Sequence, residues 1–350
     1  MWPADRDTHP SAEPPLEVGT RINALGLMRR RPIYYVLRLV LVGLLVSGGW
    51  TAFVLVGSSW WTLAVAVLLA VAFAQLALVA HDLAHRQVFR TKGSSAIARR
   101  IAGNLGIGMS YGWWMDKHTR HHNNPNHDDL DPDVAPEVLI WATSSAAGRR
   151  GLAGFVTRHQ ARLFFPLLTL LSIDLKVSSI KALRAGVVKR RGLETTLLIV
   201  HAAGYLAALP LVLSPLRALA FLIVHQALFG VYLGMTFAPN HKGMPHPTGA
   251  EDYLRKQVLT SRNVRRGWFV DVALGGLNHQ IEHHLFPAMP SANLRRAQPV
   301  VRRYCAEIGI PYEQTGLIMS YRQALRHLHE VGAPLRTARK PRNIQPRRAE

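Results

Sequence analysis

Seventeen of the 350 residues are histidine, and eight of them fall in three tight groups. His81-Asp-Leu-Ala-His85 pairs two imidazoles at i, i+4. His118-Thr-Arg-His121-His122 repeats the pattern at i, i+3, i+4. In His279-Gln280-Ile-Glu282-His283-His284, the residues Gln280, His283 and His284 have the geometry of the second group. On a helix each spacing puts the side chains on one face. Imidazole is a ligand for zinc, copper, iron and nickel, and so many imidazoles together imply more than one metal ion. A single HxxxH pair arises easily by chance; three groups at helical spacing on one membrane face do not. No HExxH occurs, which removes the zinc-protease reading. Cys305 is the only cysteine, so a cysteine-built zinc site and an intrachain disulfide are excluded.

These groups need a scaffold, and composition says which kind. The chain is 49% hydrophobic and 18% charged, against about 25% charge in soluble proteins. The apolar residues gather in four runs, 33–57, 60–80, 195–213 and 216–237, each near the roughly 20 residues that cross a bilayer. Ser58-Ser59 and Ser214-Pro215 are short links, so the runs read as two helical hairpins. Arg38 lies near enough to the start of the first run to snorkel. Leu163–Leu175 is shorter and contains Pro166 and Asp174, so an interfacial helix is expected there.

The net charge is +21, which in a soluble protein would point to nucleic acid. Here it follows the membrane rule that lysine and arginine stay on the cytoplasmic side. Five basic residues precede Arg38, seventeen lie between the hairpins and eighteen follow the fourth run. Only Arg38 and Arg217 fall elsewhere. Both termini, the central loop and all three histidine groups are therefore expected in the cytoplasm. The histidines impose the same topology, since they can meet only if an even number of spans separates the second group from the third. The first residues, MWPADRDTHPSAEPP, show no signal-peptide pattern, and the expectation is a multi-pass protein of the cell membrane.

The boxes HDLAH, HTRHH and QIEHH, in this order, resemble those of the integral-membrane fatty acid desaturases. The flanking words WWMDKHTRHHNNPN, DPD and GGLNHQIEHHLFPAMP agree. The resemblance divides the chain into a cytoplasmic N-terminal segment (1–32), a desaturase domain (33–320) and a basic cytoplasmic tail (321–350). It implies an all-α membrane fold of four spans with a cytoplasmic helical cap holding two iron ions. It also implies O2-dependent insertion of a cis double bond into a fatty acyl chain, with a related lipid or carotenoid hydroxylase or ketolase as the alternative. HxxxH in the first box and Gln280 opening the third resemble the bacterial acyl-lipid and front-end groups. Only His9-Pro10 stands for the HPGG of the haem domain that some relatives carry, so that domain is expected to be absent.

Taking hydrogen from an unactivated methylene needs a redox metal, because no side chain supplies such an oxidant. By resemblance the ligands are His81, His85, His118, His121, His122, His283 and His284. The family's histidine-rich sites call for more. His241 follows the fourth run at the height of His81, and Asn240-His241 resembles the family's extra ligand position, so His241 is expected as the eighth imidazole. His225 lies too deep in the bilayer and His201 below the interface, while His279 is only partly on the His283 face. Gln280 is expected at a ninth position, directly or through water. Asp82, Glu282 and Asp131–Asp133 are candidates to accept imidazole N–H groups, and Asn240, like Asp82 and Glu282, is a candidate either to touch the metal or to support its ligands. Trp113, Trp114 and His201 are candidates to line an acyl channel, with Trp268 and Phe269 as further candidates or membrane anchors. The expected partners are an acyl-CoA or acyl-lipid, O2, membrane lipid, and an external electron donor such as ferredoxin with an NAD(P)H reductase. No nucleic acid is expected. The tail after Arg336 is expected to meet anionic lipid or an acidic carrier, or simply water.

Overall fold

The computed structural model describes residues 16–337. The N-terminal Asp, Glu and His residues before Leu16, including His9-Pro10, and the basic tail after Thr337 lie outside the described residues. Helix α1 (Leu16–Ala24) precedes the first long helix, α2 (Pro32–Val56). Pro32 opens α2, where its missing N–H costs nothing, and Gly57 closes it at a φ of +58°, a conformation glycine adopts freely. Next come α3 (Thr62–Ala84) and α4 (Lys92–Arg100), which runs into a π-helical turn over Ile101–Gly106. The Ser110 hydroxyl accepts from the Trp113 N–H and starts α5 (Tyr111–Asn123), which carries the second histidine box.

After α6 (Thr143–Ala146) come α7 (Gly151–Leu168) and α8 (Leu171–Arg184), then the long helices α9 (Arg191–Val212) and α10 (Pro215–His241). The chain continues through α11 (Tyr253–Leu259), β1 (Asn263–Val264), α12 (Trp268–Ala273), α13 (Gln280–Leu285), α14 (Ser291–Glu307), β2 (Gln314–Thr315), α15 (Leu317–Val331) and α16 (Ala333–Thr337). β1 and β2 pair in parallel, the only sheet among the described residues. The sequence reading contained no strand. A two-residue pair leaves no periodic signal to find.

Helices α2, α3, α9 and α10 are the four long and apolar enough to cross a membrane. α3 packs most extensively on α10 and on α2, whereas α9 lies mainly against the π-helical turn and touches α10 only briefly. The second pair is thus more splayed than a simple hairpin. Phe53, Leu69, Phe73, Tyr205, Phe221 and Phe229 fill the core among these helices. A second core is formed where Val18, Ile22, Val258, Ile281, Leu285, Leu294 and Val301 from α1, α11, α13 and α14 meet.

One expectation needs correction. Leu163–Leu175 is not one interfacial helix. It contains the break between α7 and α8, which meet at 87° and together pass the length and composition test for a broken span or re-entrant loop. Pro166 sits in the last turn of α7, and the Thr169 hydroxyl donates to its carbonyl at 2.6 Å, so the chain turns there. Gly230 of α10 accepts the corner. A Cβ at that position would stand 2.5 Å from the Leu168 carbonyl oxygen. Arg38, half-buried, donates to Asp82 at 2.7 Å.

Candidate metal centre

α3 and α10 both deliver their C-terminal ends to the same place, and α5 brings a third. The partial negative charge of these ends favours a cation. His81 lies in the last turn of α3, His85 caps it, His121 and His122 end α5, and His241 ends α10. The short α13 supplies Gln280, His283 and His284.

The eight histidines form two groups. One ring nitrogen from each of His81, His85, His118, His122 and His283 lies within 4.8 Å of the others. The same limit holds for His121, His241 and His284. The rings of His122 and His284, 4.3 Å apart and nearly parallel, join the two groups.

The donor chemistry fits metal ions. His85 Nε2 and His118 Nε2 lie 2.8 Å apart, His118 Nε2 and His122 Nε2 3.1 Å, and His122 Nε2 and His283 Nε2 3.2 Å. A neutral imidazole carries one N–H, so protons alone cannot satisfy all three contacts. A shared cation can. Both nitrogens of His81 and the Nε2 of His284 are buried without a hydrogen-bond partner among the described residues, which is unusual for buried polar atoms. Burial, reinforced by the neighbouring imidazoles, holds His118, His122, His283 and His284 well below the ordinary imidazole pKa. Neutral rings are the form that binds metal.

In the three-histidine group every Nδ1 is anchored. His121 Nδ1 lies 2.9 Å from Asp131 Oδ2, His241 Nδ1 3.0 Å from the Thr260 carbonyl, and His284 Nδ1 2.8 Å from Gln257 Oε1. Each acceptor keeps the proton on Nδ1 and turns the Nε2 lone pair inward. Gln257 is itself oriented, since its Nε2 donates to the His122 carbonyl at 2.8 Å. Burial opposes charge on His121, but Asp131 and Asp133 outweigh it and raise the ring's pKa. The five-histidine group lacks such anchors on His81, His122 and His283, whose Nδ1 atoms have no hydrogen-bond partner among the described residues.

The surrounding candidates divide. Asn240 donates to Gln280 Oε1 at 3.2 Å, and Gln280 Nε2 in turn stands 2.9 Å from His241 Nε2. Asp82 lies 3.5 Å from His81 Nδ1, but its closer partners are Arg38 and the Ser291 hydroxyl, at 2.7 and 2.8 Å. Glu282 turns away from the imidazoles. Its carboxylate accepts from Tyr312 at 2.6 Å and Asn263 at 2.7 Å, and burial lifts its pKa to about 7. Trp114 stacks on His118 at 4.4 Å, whereas Trp113 packs beside Ala182, Leu183 and Val188. His201 bonds the Leu105 carbonyl, His225 pairs with the Tyr205 hydroxyl, and neither joins a histidine group. His279 is buried outside both groups, 3.9 Å from Asp271. Trp268 and Phe269 are exposed on α12.

Sequence reasoning missed Gln257, Thr260 and Arg262. Arg262 is fully buried and donates to the carbonyls of Pro239 and Lys242, to Ser320 Oγ and to Gln323 Oε1, fastening the end of α10 that bears His241. An arginine among many basic residues gives no sequence signal of such burial.

Residues 58–316 match the fatty acid desaturase family. The chain belongs to that family. An acyl-lipid (9-3)-desaturase of Physcomitrium patens is 30% identical over 77% of this chain and 53% of its own length. Fatty acid desaturase 3 of Bos taurus is 29% identical over 89% of this chain and 71% of its own. A Delta(8)-fatty-acid desaturase of Helianthus annuus is 28% identical over 82% and 66%. This desaturase-family chain thus spans between about half and three quarters of the length of these relatives. The family, the four apolar helices and the histidine groups together identify a membrane protein with a metal site.

Proposed function

We propose that this chain inserts a double bond into a fatty acyl chain, using O2 and a pair of iron ions held by the two histidine groups. The observation that carries the reading is the convergence of imidazole nitrogens from three boxes far apart in sequence. Iron bound there would supply the oxidant for taking hydrogen from methylenes, chemistry no side chain provides. His81, His85, His118, His122 and His283 would hold one ion, and His121, His241 and His284 the other, with Gln280 beside His241. Overall, two hydrogens leave adjacent methylenes, and two electrons and two protons arrive from outside, so that O2 becomes two waters.

The protein's own work is positioning. Asp131, the Thr260 carbonyl and Gln257 fix which nitrogen of three rings carries the proton. Trp114 covers one side of His118 and keeps that ring from solvent. The relatives' names speak of acyl-lipids and fatty acids, which supports an acyl-lipid substrate. The distribution of basic residues supports a multi-pass cell-membrane protein with its termini and metal centre in the cytoplasm. The electrons are proposed to come from a small ferredoxin-like donor with an NAD(P)H reductase.

The test is expression in a host without the activity, with mass spectrometry of derivatised fatty acids. A new, O2-dependent double bond that vanishes in His118→Ala supports the proposal. A product that retains oxygen, or no product from a membrane-inserted, iron-loaded protein, overturns it.

A further inference from the structure

We propose that a groove beside the third histidine box is the docking site for an acidic protein that delivers electrons one at a time. The proposal rests on the desaturase reading above and names the partner of that site. The groove, about 730 Å³ in volume, is lined by Arg265, Arg266, Arg295, Arg302 and Arg303, with Gln298 on its wall. All five arginines are exposed, and none forms an ion pair with a carboxylate among the described residues. Unpaired surface charge of one sign attracts and orients a partner of the other sign.

Position distinguishes this surface from the other basic regions. Gln298 lies against Tyr312, whose hydroxyl donates to Glu282 at 2.6 Å, and Glu282 directly precedes His283 in the sequence. A chain of side-chain contacts therefore runs from the groove wall to the residue that precedes His283 in α13. From Arg295 to Arg303 the lining follows α14 for about 12 Å, while Arg265 and Arg266 close the groove from the segment after β1. One lipid phosphate engages one or two arginines; five spread along a helix and a facing segment match the acidic face of a small protein. The reaction also requires two electrons from outside the metal centre. Two reduced carriers each give up one electron and leave oxidised, and those electrons with two protons complete the reduction of O2 to water.

The test uses the full chain, iron-loaded and reconstituted in phosphatidylcholine vesicles. Turnover is measured with a reduced plant-type [2Fe–2S] ferredoxin, with a soluble cytochrome b5 domain, and with dithionite plus methyl viologen as a small reductant. Arg302→Glu combined with Arg303→Glu should lower the ratio of protein-supported to dithionite-supported turnover about tenfold or more. The variant should also lose much of the salt dependence of the KM for the carrier. Arg322→Glu with Arg326→Glu, basic positions outside the groove, should leave the ratio unchanged. Three results overturn the proposal: an unchanged ratio in the groove variant, an equal fall with every donor as for a substrate-headgroup site, or wild-type turnover with dithionite but neither protein. Wild-type failure with all three donors would instead overturn the desaturase reading.

Discussion

Replacing Arg262 by methionine should loosen the end of α10 and weaken metal binding at His241 together. Methionine roughly keeps the buried stem, so the change removes donors and leaves little cavity. Burial lowers the pKa of Arg262 to about 10, still protonated at neutral pH. The Pro239 carbonyl keeps a second donor, the Ser320 hydroxyl. The Lys242 carbonyl and Gln323 Oε1 lose the arginine that reaches them at 2.9 and 2.6 Å. An orphaned buried acceptor costs about 1–3 kcal/mol, and Gln323, being half-buried, can partly recover by turning to water. The expected loss is about 2–4 kcal/mol, read as earlier thermal unfolding in detergent. Iron content by plasma mass spectrometry should fall in the same variant, and Arg262→Lys, with one donor group in place of the fork, should be intermediate. Wild-type unfolding and iron content in Arg262→Met would refute the clamp.

Three further outcomes are expected. His241→Ala should lose iron and product together, whereas His225→Ala and His279→Ala, outside both histidine groups, should keep iron; metal analysis of the three purified variants decides. Asp131→Asn should weaken iron binding about 10- to 100-fold, because the amide no longer holds the His121 proton as a carboxylate does, and a chelator titration reads the change. Metal-free protein should lose stability as pH falls through about 6.5 and below. His118, His122, His283 and His284 have depressed pKa values when folded, so below the unfolded value the unfolded chain binds more protons and is favoured. His121, shifted the other way, offsets part of this, and unfolding temperatures at about pH 7.5 and 5.5 measure the sum.

The histidine spacing was legible because a helix converts i, i+3 and i+4 directly into a shared face. The four apolar runs were legible because bilayer thickness fixes their length. Their ends were not, since α3 and α10 continue past the apolar residues to carry His81 and His241. Contacts between distant segments also escaped. Arg38 and Asp82 are 44 positions apart, so nothing local foretells their pairing. Glu282 stands between histidines in sequence, yet the turn of α13 sends it toward Asn263 and Tyr312. Trp113 and Trp114 are adjacent and identical in type, but one helical step places only the second on the imidazoles.

The uneven anchoring of the imidazoles has a consequence for assembly. His121, His241 and His284 are oriented by hydrogen bonds from outside the cluster before any ion arrives, so a first ion meets a preorganised seat. In the other group, rings that crowd Nε2 against Nε2 are held apart from protons by burial and by one another, and the ion itself must complete their order. Occupancy is therefore expected to be stepwise, with a half-filled protein as a distinct species rather than a random mixture. The two positions would differ in exchange rate, and the looser one would be the first emptied when iron is scarce.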